Sequence, residues 1–280
     1  MAAARVVKSK DLFPAVFSRH AAAYQQRLDG IMARGEARGR VRVIELARAV
    51  PGMRILDLAC GPGILSRPLA ELVAPDGEIV GVDLAAGMIE RARALQIANA
   101  RFEVMDIESL AFDDSTFDAV VCGHGLQFAP DLGRALREAR RVLRDGGRLA
   151  ASMPVTTVSE SVWSLLDSVV DRWLPPAPEV VDQQPTRAVV EDARALRQAV
   201  LDAGFTSARV EVVEEVVHWE SAESLVAMFM GWWNWAVRLE GMDAGARQAF
   251  MDEATATLKR EHPGTIETTG RNHVLLAMKA

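Results

Sequence analysis

Short apolar runs alternate with helical patterns through the middle of the chain. The strand-like runs lie at 53–59, 77–83, 100–106, 117–123 and 147–153, and helical patterns at 63–73, 86–96 and 132–144 separate most of them. Strands that alternate with helices in this way are typical of a parallel, doubly wound sheet. The pattern therefore predicts an α/β fold built on a mostly parallel sheet.

The two ends of the chain follow a different pattern. Apolar positions at helical spacing predict N-terminal helices within 13–32 and 36–49, and later helices around 159–173 and 188–203. "ARVEVVEEVVHWE" and "NHVLLAMK" add two strands, for a seven-stranded sheet, with a tryptophan-rich helical insertion between them. We expect an N-terminal helical cap at 1–50, a core at 51–220 and 265–280, and a helical lid at 221–264.

Composition narrows the class of protein. The 280 residues carry a net charge of −6, which disfavours a nucleic-acid partner, and the two cysteines, Cys60 and Cys122, are too few for a disulfide framework. The most hydrophobic run, 225–237, is shorter than the roughly 20 residues that span a bilayer. No signal peptide is evident. We expect a cytoplasmic protein, monomer or homodimer, without stable membrane insertion.

The stretch "ILDLACGPG" joins a strand that ends on Asp57 to a glycine turn that opens a helix. Gly61 and Gly63 let a ligand approach the backbone, and the helix N-terminus favours a carboxylate or phosphate. A nicotinamide fingerprint needs a third glycine, but Ser66 stands there. A dinucleotide-binding site is therefore disfavoured.

Two further strands also end on acids. Asp83 can accept hydrogen bonds from both hydroxyls of a ribose, and Asp106 can accept one from the exocyclic amine of an adenine. Each could instead be a helix cap or turn residue. Three acids at the ends of three successive strands, Asp57 included, are hard to explain as independent caps. Together they indicate a nucleoside-binding edge.

The segments "ILDLACGPG", "VGVDLAAGMIERAR" and "FEVMDIESLAFDDSTFDAVVCGHGLQF" resemble the class I S-adenosylmethionine-dependent methyltransferases. The resemblance covers about 51–153 and is closest to the group that includes the ubiquinone and menaquinone C-methyltransferases. It implies a Rossmann-like methyltransferase fold and S-adenosyl-L-methionine as cofactor.

The resemblance also implies roles for individual residues. The loop from Asp57 to Gly63 would hold the methionine part, Asp83 the ribose, and Asp106 the adenine edge. The full set of implied cofactor-binding residues is Tyr24, Asp57, Ala59, Gly61, Gly63, Asp83, Leu84, Met88, Asp106, Ile107, Cys122 and Gly123. Ala59 stands where the family usually has glycine, and we expect it to keep a negative φ.

Two histidines are candidates for a catalytic base. His124 follows the fourth strand at the level where the transferred methyl group should sit, and His20 lies on the N-terminal helix. Either could instead be an ordinary polar residue. No clustered metal-ligand spacing is present, so we expect no metal.

Aromatic residues outside the cofactor motifs are candidates for the substrate pocket: Phe17, Phe128, Phe229, Trp232 and Trp233. The tryptophans belong to "MFMGWWNWAV", which could form a lid over the cavity or a core-facing helix. We therefore expect methyl transfer to carbon or oxygen of a hydrophobic small metabolite (quinone-like, aromatic or a natural product), as in secondary metabolism. The alternative is a cofactor-binding regulator or cyclase that does not methylate.

Overall fold

The computed structural model of the protein describes residues 6–155, 161–230 and 233–280. Within them the strands form one large and one small sheet. In chain order the strands are β1 (Val6–Val7), β2 (Arg54–Leu58), β3 (Glu78–Asp83), β4 (Ala100–Val104), β5 (Phe117–Gly123), β6 (Leu143–Val155), β7 (Glu179–Val180), β8 (Ser207–Trp219) and β9 (Ile266–Met278).

Helices connect most of these strands. They are α1 (Ser9–Ala33), α2 (Arg38–Ala47), α3 (Ser66–Val73), α4 (Ala86–Arg93), α5 (Leu132–Val142), α6 (Ser161–Trp173), α7 (Gln184–Glu191), α8 (Ala193–Asp202), α9 (Ala222–Met230), α10 (Trp233–Arg238) and α11 (Ala244–Glu261). A 3₁₀ turn, Leu126–Phe128, follows β5.

The large sheet has seven strands in the order β4-β3-β2-β5-β6-β9-β8. Every strand pair from β4 to β6 is parallel, whereas β9 runs antiparallel to both of its neighbours. The chain moves outward from β2 to β4 and then returns to β5 on the other side of β2. Open α/β sheets bind ligands where the strand order reverses in this way. The predicted doubly wound, seven-stranded fold is confirmed.

One predicted helix differs from the observed structure. The periodic stretch at 188–203 is divided between α7 and α8, because Asp192 adopts an extended conformation between them. Its carboxylate accepts hydrogen bonds from the backbone N–H groups of Arg194 and Ala195. Aspartate is a strong N-cap residue, so α8 begins anew at this position.

The helices of the predicted insertion pack into a hydrophobic core of their own. Phe229 of α9, Trp235 of α10 and Phe250 of α11 are buried there together with α6 and the end of α1. The ring centroids of Phe229 and Trp235 are 4.7 Å apart, and those of Trp235 and Phe250 are 5.6 Å apart. None of the described helices is long and apolar enough to cross a bilayer.

Helix α1 lies close against α4, at the carboxyl edge of the sheet. The backbone N–H of Gly87 donates to Ser18 Oγ at 3.1 Å, and a Cβ added at Gly87 would lie 2.5 Å from the Ser18 carbonyl oxygen. Only glycine permits this approach. The contact holds α1 across the end of the sheet where a ligand would bind.

Candidate functional site

A cavity lies at the carboxyl ends of β2 to β5 under helix α1, and its space, including the part open to solvent, is about 950 Å³. The predicted site residues that line it are Phe17, Tyr24, Asp57, Ala59, Gly61, Asp83, Leu84, Met88, Asp106, Ile107, Gly123, His124 and Phe128. These side chains come from five separate segments of the chain, and the fold brings them to one place.

Three residues predicted to bind the cofactor or act in catalysis do not line this cavity. Gly63 has a φ of +85°, and a Cβ there would lie 3.0 Å from Leu95, so this glycine serves the packing of the loop. Cys122 is fully buried in β5, where burial raises the pKa of its thiol to about 12. His20 lies on another part of α1, near Arg19 and Arg247.

The structure does not place Phe229 in the predicted substrate pocket. Its ring is buried between Trp163 and Trp235 in the core of the insertion, because α9 turns its apolar face toward α6 and α11. Trp232 and the side chain of Trp233 lie outside the described residues. In the described part of 221–264, no residue lines the cavity, and its cover comes from α1 instead.

Asp57 is buried at the end of β2, beside the glycine turn. Its Oδ2 accepts a hydrogen bond from Ser66 Oγ at 2.6 Å, whereas Oδ1 has no partner. Burial raises the pKa of the Asp57 carboxyl to about 7, and nearby Asp83 adds to the shift. The site therefore contains an acid that a cationic ligand group would ionise.

Asp83 links the end of β3 to the glycine turn. Its two oxygens accept hydrogen bonds from the backbone N–H groups of Gly61, at 2.9 Å, and Ala85, at 2.8 Å. The N-cap of α4 is Ala85, so Asp83 is not the cap of that helix. Burial raises the pKa of the Asp83 carboxyl.

Asp106 pairs with a cation that the sequence did not indicate. Lys10 of α1 donates to Asp106 Oδ2 at 2.6 Å and to Glu108 Oε2 at 2.5 Å, and both Lys10 and Glu108 line the cavity. Nothing in the helical pattern of 9–33 distinguishes Lys10 from a solvated lysine. Asp57, Asp83 and Asp106 together form what we call the acidic end of the cavity.

Ala59 does not keep the negative φ that we expected. Its φ is +50°, in the left-handed region that favours glycine. A Cβ added at Gly125 would lie 2.4 Å from the Ala59 Cβ, so the neighbouring glycine leaves room for this alanine. The loop therefore holds Ala59 in a backbone conformation that is sterically unfavourable for alanine.

Tyr24, Arg40 and His124 also line the cavity and form what we call the basic end. Arg40, buried on α2, donates from Nη2 to the Tyr24 hydroxyl at 3.3 Å. His124 has a φ of +66°, and its Nε2 is buried without a partner. Burial, reinforced by Arg40, holds the pKa of His124 well below its usual value. The ring is therefore neutral at pH 7.

Aromatic side chains from α1 and the 3₁₀ turn form one wall of the cavity. The ring centroid of Phe128 lies 4.7 Å from that of Phe13 and 5.4 Å from that of Phe17. Phe17 in turn contacts Tyr24 at 5.9 Å. Phe13 was missed, although it shares the helical spacing of Phe17 and Tyr24. This wall can accommodate a flat apolar molecule.

Comparisons with known proteins agree with this geometry. A methyltransferase-domain family matches residues 55–147. The ubiquinone/menaquinone biosynthesis C-methyltransferase of Shewanella oneidensis is 31% identical over 242 residues, which span 80% of this chain and 92% of that protein. The chain belongs to this methyltransferase family. It is an S-adenosylmethionine-dependent methyltransferase.

A second relative and a solved structure are also similar to this chain. The 2-phytyl-1,4-naphthoquinone methyltransferase of Synechococcus elongatus is 35% identical over 139 residues, 48% of this chain and 60% of that protein. Among solved structures, the YcgJ protein of Bacillus subtilis matches with a TM-score of 0.56 at 20% identity, covering 86% of this chain and 98% of that one. The latter likeness supports the Rossmann-like methyltransferase fold.

The residues that line the cavity fit this methyltransferase's cofactor. The unpartnered Oδ1 of Asp57 is an acceptor beside a glycine turn whose backbone is open to the cavity. Asp83 follows at the end of the adjacent strand. Within the described residues, no group of three or more His, Cys, Asp or Glu side chains could hold a metal ion.

Proposed function

We propose that this methyltransferase transfers a methyl group from S-adenosylmethionine to carbon or oxygen of a hydrophobic small metabolite of quinol or aromatic type. One observation carries the proposal: a single cavity is lined both by a row of strand-end acids and by an aromatic wall. Relatives named for ubiquinone, menaquinone and phytyl-naphthoquinone support the acceptor class.

The acidic end would bind the cofactor. Asp57 Oδ1 would accept from the ammonium of its methionine part, Asp83 would hold the ribose hydroxyls, and Asp106 would accept from the adenine amine. The other residues that would contact the cofactor are Gly61, Leu84, Met88, Ile107 and Gly123. Arg40, whose Cγ lies 3.6 Å from a Cβ built on Gly123, is the cavity cation best placed for the cofactor carboxylate.

The bound cofactor supplies an electrophilic methyl group on its sulfonium, so the protein's task is alignment, exclusion of water and control of one proton. Phe13, Phe17 and Phe128 would orient the acceptor against the methyl group. His124 Nε2, neutral and without a partner, would accept a proton from the acceptor or hold it by a hydrogen bond.

The direct test is turnover. Purified protein is incubated with S-adenosylmethionine and reduced 2-phytyl-1,4-naphthoquinone or a panel of simpler quinols and phenols. We expect S-adenosylhomocysteine to form in equal amount to a product that is heavier by one methylene. An Asp83→Asn variant, checked for folding by its melting temperature, should lose this turnover at low cofactor concentration.

Two results would argue against the proposal. If S-adenosylhomocysteine does not bind, the assignment of the acidic end as the cofactor site is contradicted. Tight binding with no methylated product from any quinol, phenol or apolar acceptor would instead favour a protein that keeps the cofactor without transferring its methyl group.

A further inference from the structure

One side of α1 faces the cavity along most of the helix. Lys10, Phe13, Phe17 and Tyr24 line the cavity, and their spacing of three, four and seven residues repeats on one side of a helix. From Lys10 to Tyr24 such a helix rises about 21 Å. A single helix therefore carries a cation at the acidic end of the cavity and part of the aromatic wall.

Lys10 lies between two carboxylates that also line the cavity. Its Nζ donates to Asp106 Oδ2 at 2.6 Å and to Glu108 Oε2 at 2.5 Å. The Glu108 side chain is 7% exposed, and its other oxygen accepts from the backbone N–H of Asp131, just before α5. A carboxylate so deeply buried needs a counter-charge. Among the described residues, Lys10 supplies it.

The backbone of α1 is weakened immediately after Lys10. Pro14 lies inside the helix and has no N–H, so the carbonyl of Lys10 receives no helical bond from the residue four positions further on. The proline ring also crowds that carbonyl. Residues 9–13, which we call the first turn of α1, therefore depend more than the rest of the helix on contacts with other parts of the protein.

The first turn reaches both parts of the proposed site. Lys10 ties it to the acidic end, and the Phe13 ring packs against Phe128 of the aromatic wall, with the ring centroids 4.7 Å apart. The backbone N–H of Ser9 also donates to Asp182 Oδ1 at 2.9 Å, before α7. One short segment thus completes the wall and the acidic end together.

The rest of α1 is held by separate contacts with α4. Gly87 donates its N–H to Ser18 Oγ at 3.1 Å, and Arg91 Nε donates to Gln25 Oε1 at 2.8 Å. These bonds do not involve the first turn. Loss of the Lys10 contacts should therefore release the first turn and leave the remainder of the helix in place.

We propose that Lys10 is a positioning residue that holds the first turn of α1 closed over the cavity, and that this ion-pair cluster sets the affinity for both the cofactor and the aromatic acceptor. The identity of these two ligands rests on the proposed function. If the first turn is open for part of the time, each apparent affinity is reduced by the fraction of closed protein, and therefore by the same factor.

The test compares Lys10→Met with the wild-type full chain by calorimetry, with S-adenosylhomocysteine and 2-naphthol as separate ligands. 2-Naphthol is a flat probe for the aromatic wall. We expect both to bind about threefold or more weakly, and by equal factors. Lys10→Arg keeps the charge and should retain part of both affinities. Lys8→Met, which removes an exposed charge next to α1, should change neither.

Hydrogen exchange measures the closure without either ligand. Backbone amides of 13–18 should exchange about threefold faster or more in Lys10→Met, whereas those of 25–33 should be unchanged. Glu108→Gln removes the buried charge and keeps an oxygen for the Asp131 N–H, so it should act like Lys10→Met. The double variant should add little further, because both changes break one contact. A melting temperature near that of Lys8→Met shows that each variant is folded.

Two outcomes would overturn the proposal. If Lys10→Met weakens only one of the two ligands, Lys10 is a local contact of that ligand. If it weakens neither, the first turn does not need this ion pair. Failure of S-adenosylhomocysteine to bind the wild type counts instead against the proposed function. In that case the 2-naphthol titrations and the hydrogen exchange still decide whether Lys10 holds the first turn.

Discussion

The two ends of the cavity are built in different ways. The acidic end takes its three acids from the last residues of β2 and β3 and the position just beyond β4, which are neighbours in the sheet. The basic end assembles Tyr24, Arg40 and His124 from two helices and the turn after β5, which are far apart in the sequence. The first end, which we propose binds the cofactor, follows from strand ends that the sequence pattern predicts. The second is brought together only in the folded protein.

The largest expected effect is a loss of stability, which distinguishes a residue in the core of the insertion from a residue in the cavity wall. Phe229→Ala should lower the free energy of unfolding by about 3–5 kcal/mol, because it removes a buried aromatic ring. Denaturant titration measures this. Phe128→Ala, a change of the same size in the half-buried cavity wall, should cost less stability and weaken acceptor binding. If the Phe229→Ala protein has near wild-type stability, Phe229 is not a core residue and its assignment to the substrate pocket is favoured.

The next prediction tests the acidic end. Asp83→Ala should weaken S-adenosylhomocysteine binding by about 1.5–3 kcal/mol, through the loss of charge-assisted hydrogen bonds and of the contact that holds the Gly61 N–H. Calorimetry gives the affinity. Asp76→Ala, which removes an exposed carboxylate elsewhere, serves as the control. Equal affinities in the two variants would contradict the ribose assignment.

Asp57 makes the acidic end sensitive to pH. Its pKa is about 7 in the free protein, and the cofactor's ammonium favours the ionised form. Binding then releases a proton, so the affinity for S-adenosylhomocysteine should rise about tenfold between pH 6 and pH 8. Calorimetry in buffers of different ionisation enthalpy detects the released proton. The same slope in Asp57→Asn would assign the effect to another group.

The pH dependence of stability has the opposite sign. Because the pKa of Asp57 is higher in the folded than in the unfolded chain, the folded state holds the extra proton between about pH 4 and pH 7. The contribution of this group to stability is therefore greatest below that window and declines as the pH rises through it. Asp57→Asn should remove this part of the decline in urea titrations of the free protein.

The smallest effect concerns the loop between the two ends. Ala59→Gly should stabilise the protein by about 1 kcal/mol, because glycine adopts a φ of +50° without the steric cost that alanine bears. Ala94→Gly, at a φ of −65°, is the matched control and should not stabilise. Thermal unfolding distinguishes the two. A destabilised Ala59→Gly protein would mean that the alanine methyl contributes packing that outweighs its strain.

Much of the fold followed from periodicity alone. The seven strands of the large sheet were predicted because apolar runs bounded by turns alternate with helical spacing, and the parallel order of β2 to β6 follows from that alternation. The helix boundary at Asp192 was missed because the apolar pattern continues through it, and only the side chain's capping bonds reveal the break. For a related reason, the sequence left open whether the helices of 221–264 cover the cavity or pack into a core. An apolar helix face has the same pattern whether it covers a cavity or a core.

The sequence by itself determined the sheet, the glycine turn and the three strand-end acids of the proposed cofactor site. Parallel strands bring their carboxyl ends to one edge, so spacing along the chain maps directly onto proximity in space. Only the tertiary structure decided that Ala59 is left-handed, that Lys10 pairs with Asp106, and that Arg27 and Arg40 meet around Tyr24. Those contacts join segments that share no common hydrophobic periodicity. Packing α1 and α2 against the sheet creates them, and no local pattern encodes them.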